Sequence, residues 1–126
     1  VSFGVGIVSP ETIDEINILN ATYEAMRQAV SSLNVPVEVC LNDAVIIPGI
    51  SCIQRSIIKG DAKSVSIAAA SIIAKVTRDR MMEKYNKIYP EYGFDRHKGY
   101  GSKEHMDKIR EYGPCPIHRS TFIKNI

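Results

Sequence analysis

No apolar stretch in this 126-residue chain approaches the ~20 residues needed to cross a bilayer, so no membrane-spanning helix is expected. Paired cysteines are also missing. Cys40, Cys52 and Cys115 stand apart, with no Cys-x-x-Cys among them. An odd count without ligand spacing argues for free thiols in a reducing compartment, and hence for a cytoplasmic protein. His97, His105 and His118 are too scattered for a zinc-helix signature, so a structural zinc site is not expected. The first residues, VSFGVGIVSPETIDE, carry no basic leader and no initiating Met. No signal peptide is visible, and a piece of a longer chain is expected. There is no internal repeat, low-complexity tract or internal domain boundary.

What is present fits one soluble globular domain: 44% hydrophobic and 24% charged residues. A chain of this size buries roughly two-thirds of the surface its unfolded form exposes. The net charge of +2 is unevenly spread: residues 1–74 hold 4 Lys/Arg against 7 Asp/Glu, and residues 75–126 hold 12 against 7. A basic C-terminal part suits a polyanionic partner such as nucleic acid, and equally a solvated helix face.

Periodicity predicts the elements. VSFGVGIV reads as a strand, with Val1, Phe3, Val5 and Ile7 on one face. Ser9-Pro10-Glu11 opens a short helix, and a longer one follows over 17–33, ended by Asn34 and Pro36. Residues 37–45 and 52–60 read as strands, the first with Val37, Val39 and Leu41 on its apolar face. A turn at Pro48-Gly49 lies between them, with no room for a crossover helix. A helix capped by Ser64 or Ser66 covers about 66–87, and its alanine-rich first half is expected to be buried. Residues 91–102 read as a Gly-rich, basic, aromatic loop, 103–112 as a helix stopped by Gly113-Pro114, and the remainder as an irregular tail.

Two aspartates, Asp43 and Asp61, each close an apolar strand-like run. Ligands collect beyond the carboxyl ends of strands in open α/β sheets. If the strands are neighbours, both carboxylates reach one rim, where they repel unless a hard cation such as Mg²⁺ or Mn²⁺ lies between them. The alternative makes Asp43 a turn residue and Asp61 a helix cap. The small residues Ala68–Ser71 let a helix lie close to a sheet and bring its first-turn N–H groups near Asp61. In the loop Arg96–Ser102, the basic side chains can hold phosphates and the Tyr100 ring can stack on a sugar or base, although a mobile surface loop has similar composition. Cys115 near His118 gives no more than a weak nucleophile reading.

Taken together, IDEINILNATYEAMRQAV, LNDAV, IIKGDAKSVSIAAASIIAKVTRDR, YPEYGFDRHKGYGSKEH and HRSTF resemble ribonuclease HII, the type 2 ribonuclease H family, along nearly the whole chain and in the family's order. The resemblance implies a ribonuclease H-like α/β fold, a mixed sheet flanked by helices. It implies cleavage of the RNA strand of RNA–DNA hybrids, and at single ribonucleotides in duplex DNA, by two divalent ions held by four carboxylates. Asp43 matches the third acidic ligand and Asp61 the fourth. Tyr100 matches the tyrosine that packs on the deoxyribose at the RNA–DNA junction, and Lys59, Lys98 and the helix start at Ser64 match phosphate contacts.

Two departures accompany the resemblance. The family's first strand carries Asp-Glu followed by Gly-Arg-Gly, and no such stretch occurs here; the only Asp-Glu, Asp14-Glu15, precedes Ile-Asn-Ile. The resemblance therefore implies an N-terminally truncated fold, with residues 1–126 as the C-terminal part, roughly two-thirds, of the domain. Weak or absent hydrolysis and a tendency to self-associate through open sheet edges are expected. The second departure is Asn42, where an apolar residue is usual. A catalytically silent nucleic-acid-binding domain of the same fold, or a two-metal nuclease of different substrate, are the other readings.

Overall fold

The computed structural model describes residues 2–123, in two compact units divided after Ile72. The class is α/β. In chain order the elements are α1 (Pro10–Ser31), β1 (Val39–Asp43), β2 (Ile53–Ile57), α2 (Gly60–Lys63), α3 (Val65–Ile88), α4 (Phe94–His97), α5 (Lys103–Tyr112) and α6 (Ser120–Ile123).

In the first unit, Ser9 caps α1 as expected: its Oγ accepts from Thr12 N at 3.2 Å, and Pro10 takes the first turn. The short and long helices foreseen in this region are joined at Asn17, whose left-handed φ of 72° kinks α1. Its Oδ1 then accepts from Asn20 N and caps the longer part. Among the described residues 2–8 the strand expected at the N-terminus does not form; Val1, which that expectation included, lies outside the described residues. Residues 2–8 instead run against α1, where a Cβ on Gly4 or Gly6 would collide with the carbonyl oxygens of Ala29 and Ala25. Backbone approach to a helix replaces pairing in a sheet, and Ile7 N donates to Gln28 Oε1.

β1 and β2 pair in parallel, Val39 opposite Ile53 and Asp43 opposite Ile57. Both carboxyl ends therefore point the same way. The expected burial of β1 is inverted. Val39 and Leu41 are exposed while Asn42 is buried, because polar groups close a network on the inner side. Asn42 Nδ2 donates to Gln54 Oε1 (2.9 Å), which also accepts from Ile47 N (2.7 Å), and Gln54 Nε2 donates to Ile47 O (2.8 Å). The amide of Gln54 thus pins the helix-free connection between the strands. Gln54→Leu leaves the buried amide of Asn42 and the Ile47 backbone without these partners, and is expected to cost about 1–2 kcal/mol of stability. Urea denaturation checks this; an unchanged midpoint excludes the pinning role.

The first half of α3 is not the buried helix that its composition suggested. Val65 is 87% exposed, and Ile72 also faces outward. A helix apolar all round needs covering on every side, and of these residues only Ile67 is buried, close to Gly60. In the second unit, Met82, Tyr92, Phe94 and Ile109 form the core, with Tyr85, Tyr89, Met106 and Ile117 packed on it. The loop expected over 91–102 contains α4, and the tail contains the single turn of α6. Helix α5 keeps its foreseen limits: Ser102 Oγ accepts from His105 N, and Gly113, at φ +76°, closes the helix with a bond to Ile109 O.

Candidate functional site

In the first unit, Asp43 ends β1, and the chain reverses at once through Ala44 at φ 59°. After β2, Lys59 adopts φ 54° and Gly60 begins α2. Left-handed conformations at two non-glycine residues cost of order 1 kcal/mol each. Both lie beside candidate site residues. Asp61 does not cap a strand or a long helix; it lies in the first turn of α2, four residues beyond the end of β2.

One hydrogen bond brings the two aspartates into the same neighbourhood. Gly60 N donates to Asp43 Oδ1 at 3.1 Å, and Gly60 is covalently next to Asp61. Gly60 has little room for a side chain: a Cβ would stand 2.6 Å from Ile67 Cδ1 and 3.3 Å from Asp43 Cα. Both carboxylates are exposed. Ser64 Oγ accepts from Ile67 N (3.3 Å), and the hydroxyl caps α3. The donor set is all oxygen, as a hard divalent cation requires. Among the described residues no group of three or more His, Cys, Asp or Glu assembles around a metal position. The pair fits such an ion in kind and falls short in number.

In the second unit, Tyr100 presents its ring to solvent, 66% exposed. The Arg78 guanidinium carbon lies 5.6 Å from the ring centroid, and Arg78 Nη2 donates to Lys98 O at 3.1 Å. Lys98, at φ 54°, reaches back to Glu83 at 3.4 Å. Nearby on α3, Lys75 contacts Asp79 at 2.6 Å, which holds that carboxyl below the usual range. Arg78, Lys98 and an exposed aromatic ring together suit a sugar–phosphate backbone. Arg78 was not singled out from the sequence; its position in α3, twenty residues before Lys98, gave no local signal.

The three histidines, scattered in sequence, meet in space. The rings of His97 and His105 stack at 4.2 Å with 11° between planes, and His105 Nε2 lies 2.9 Å from His118 Nε2. Burial, then the neighbouring imidazoles, push His118 down to about 4, and burial lowers His105 too. The nucleophile reading of Cys115 gains nothing. Its backbone N–H, not its thiol, meets His118 Nδ1 (2.9 Å), and burial pushes the thiol up. Among the described residues, no helix is long and apolar enough to cross a membrane.

Residues 2–125 match the family model described as Ribonuclease HII. The chain is 59% identical over 124 residues to the ribonuclease HII of Clostridioides difficile (strain 630), covering 98% of this chain and 49% of that protein. It is 54% identical over 126 residues to that of Caldanaerobacter subterraneus subsp. tengcongensis, covering all of this chain and 52% of that one. The crystal structure of the ribonuclease H2 from Pyrococcus horikoshii OT3 superposes with a TM-score of 0.70 at 31% identity, over 90% of this chain and 62% of that one. The chain thus spans about half the length of the curated relatives it matches.

Proposed function

Because the chain belongs to the ribonuclease HII family, we propose that it is the C-terminal part of an endoribonuclease that hydrolyses the RNA strand of RNA–DNA hybrids and single ribonucleotides in duplex DNA. Such an enzyme acts in the cytoplasm, in DNA repair and replication. The observation that carries this reading is the Gly60 N–Asp43 Oδ1 bond, which ties the end of β1 to the turn holding Asp61. Asp43 and Asp61 are metal ligands in this reading, for Mg²⁺ or Mn²⁺. When bound, divalent ions supply an activated water and neutralise charge developing at phosphorus.

The protein's own groups hold and orient the substrate. Lys59 and the capped start of α3 at Ser64 stand beside the aspartates in sequence and accept phosphates. In the second unit, Lys98 takes a phosphate and Tyr100 offers its face to a deoxyribose. A hydroxyl at the 2′ position is what lets such a site separate RNA from DNA. Unpaired edges on a two-stranded sheet favour self-association.

With two carboxylates, this chain alone is expected to bind Mn²⁺ weakly and cleave slowly. Millimolar Mn²⁺ should broaden the amide resonances of Ala44, Gly60 and Asp61 first, and Asp43→Asn with Asp61→Asn should remove the effect together with any cleavage of a ribonucleotide-containing duplex. Broadening centred elsewhere would sink the assignment. One observation favours the second reading, a silent nucleic-acid-binding domain: no third metal-binding side chain joins the pair among the described residues. Salt-sensitive duplex binding with no cleavage, even in the longer relatives' context, supports that alternative.

A further inference from the structure

The most completely determined cluster in the molecule has no place in metal or phosphate binding. It is the set of three histidines beneath the Tyr100 loop, and its proton positions follow from its ends. The backbone N–H of Cys115 donates to His118 Nδ1 at 2.9 Å, so that nitrogen is bare. A neutral His118 then carries its proton on Nε2. That atom faces His105 Nε2 at 2.9 Å, which must accept. The proton of His105 is therefore on Nδ1, 2.8 Å from the carbonyl oxygen of Tyr100, which can only accept. His97 is fixed in the same way. Gly99 N donates to its Nδ1 at 3.1 Å, and its Nε2 donates to Tyr92 O at 2.7 Å.

The consequence falls on Tyr100. Its N–H donates to His97 O (3.0 Å), and its carbonyl accepts from Ser102 N (2.9 Å) as well as from His105. The backbone of Tyr100 is held on both sides while its ring stays exposed. We propose that His105 and His118 are positioning residues for Tyr100: a neutral relay, running from the Cys115 amide to the Tyr100 carbonyl, fixes the loop that presents the ring. This rests on the reading of Tyr100 as a substrate contact.

The relay admits no extra proton. Added at His105 Nε2, a proton would confront the N–H of His118; added at His118 Nδ1, it would confront the N–H of Cys115. The titratable groups facing the pair are His97 from α4, Tyr92 from the segment before it and Cys115 from the turn after α5. Glu91 acts on Tyr92 and Cys115, and neither relay histidine has a carboxylate among the groups that shift it. Among the described residues, nothing anionic is placed to stabilise an imidazolium. His105 is 4% exposed, so water does not substitute.

The test uses the whole chain with ¹⁵N-labelled histidine. At pH 7.5, His118 is expected as the Nε2–H tautomer and His105 as Nδ1–H. His118→Phe keeps an aromatic ring but cuts the relay, and should shift the amide resonances of Gly99–Ser102. His118→Gln, whose Nε2 can still donate to His105, should restore them. Binding to an RNA–DNA hybrid oligonucleotide supplies the functional arm. Tyr100→Ala is expected to weaken it about tenfold, His118→Phe by a smaller factor, and the double variant no more than Tyr100→Ala alone. If Tyr100→Ala leaves binding unchanged, the reading of Tyr100 fails, and the tautomers and amide shifts still decide the relay. An Nδ1–H tautomer at His118, a charged His105 at pH 7.5, unmoved Gly99–Ser102 amides in His118→Phe, or additive losses in the double variant overturn the proposal. Should His118→Phe not fold, the wild-type tautomers decide it alone.

Discussion

Phe94→Ala is expected to destabilise the second unit by about 3–5 kcal/mol, enough to unfold a domain of ordinary stability at moderate temperature. Phe94 is 1% exposed and packs with Met82, Tyr92 and Ile109. Its ring stacks on Tyr92 at 5.4 Å and meets the edges or faces of His97, His105 and His118 at 5.5–5.8 Å. Truncation opens a cavity at the centre of the core and removes the wall that keeps the histidines dry. Phe94→Leu fills most of that space and should cost under about 1.5 kcal/mol. Thermal unfolding followed by the tyrosine signal separates the two. Equal losses in both variants would show that the volume of the ring is not what matters.

Acid is expected to produce the next largest effect. An unfolded histidine titrates near 6.5, and folded His118 near 4. Across that interval the unfolded chain binds more protons than the folded one, so stability rises with pH. The contribution is complete above about pH 6.5, drains as the pH falls towards 4, and changes no further below. A displacement of this size corresponds to roughly 3 kcal/mol; because His118 is only half-buried, screening trims it to about 2 kcal/mol. His105, fully buried and lowered by the same cause, acts in the same direction. Urea midpoints at pH 7 and pH 4.5 measure the drop. His118→Gln cannot take up the proton, so its midpoint should fall less over the same range. An identical fall in both proteins would assign acid sensitivity to other groups.

The two effects share a cause. In the core of the second unit the Tyr92 and Phe94 rings pack directly on imidazoles, so packing and protonation state are coupled there. In the first unit the corresponding device is amide chemistry. Asn42 is matched by Gln54 across the strand pair, and together they close the connection over Ile47.

Local signals were legible wherever the interaction that forms an element lies within a few residues. The Ser9-Pro10 start of α1, the Gly113 end of α5, and the two strands all follow from capping and alternation along the chain. The long motifs around Asp43, Asp61 and Tyr100 likewise sufficed to name the family. Burial was not legible, because it depends on what covers a surface. Ile72 reads as core and stands exposed, Val39 and Leu41 face out while Asn42 turns in, and the glycines of the first segment meet a helix instead of a strand. Only the tertiary structure put Gly60 N against Asp43 and closed His97, His105 and His118 into one cluster. Those contacts join groups up to 17 residues apart, and their geometry comes from chain reversals at Ala44, Lys59, Lys98 and Gly99 that no periodicity encodes.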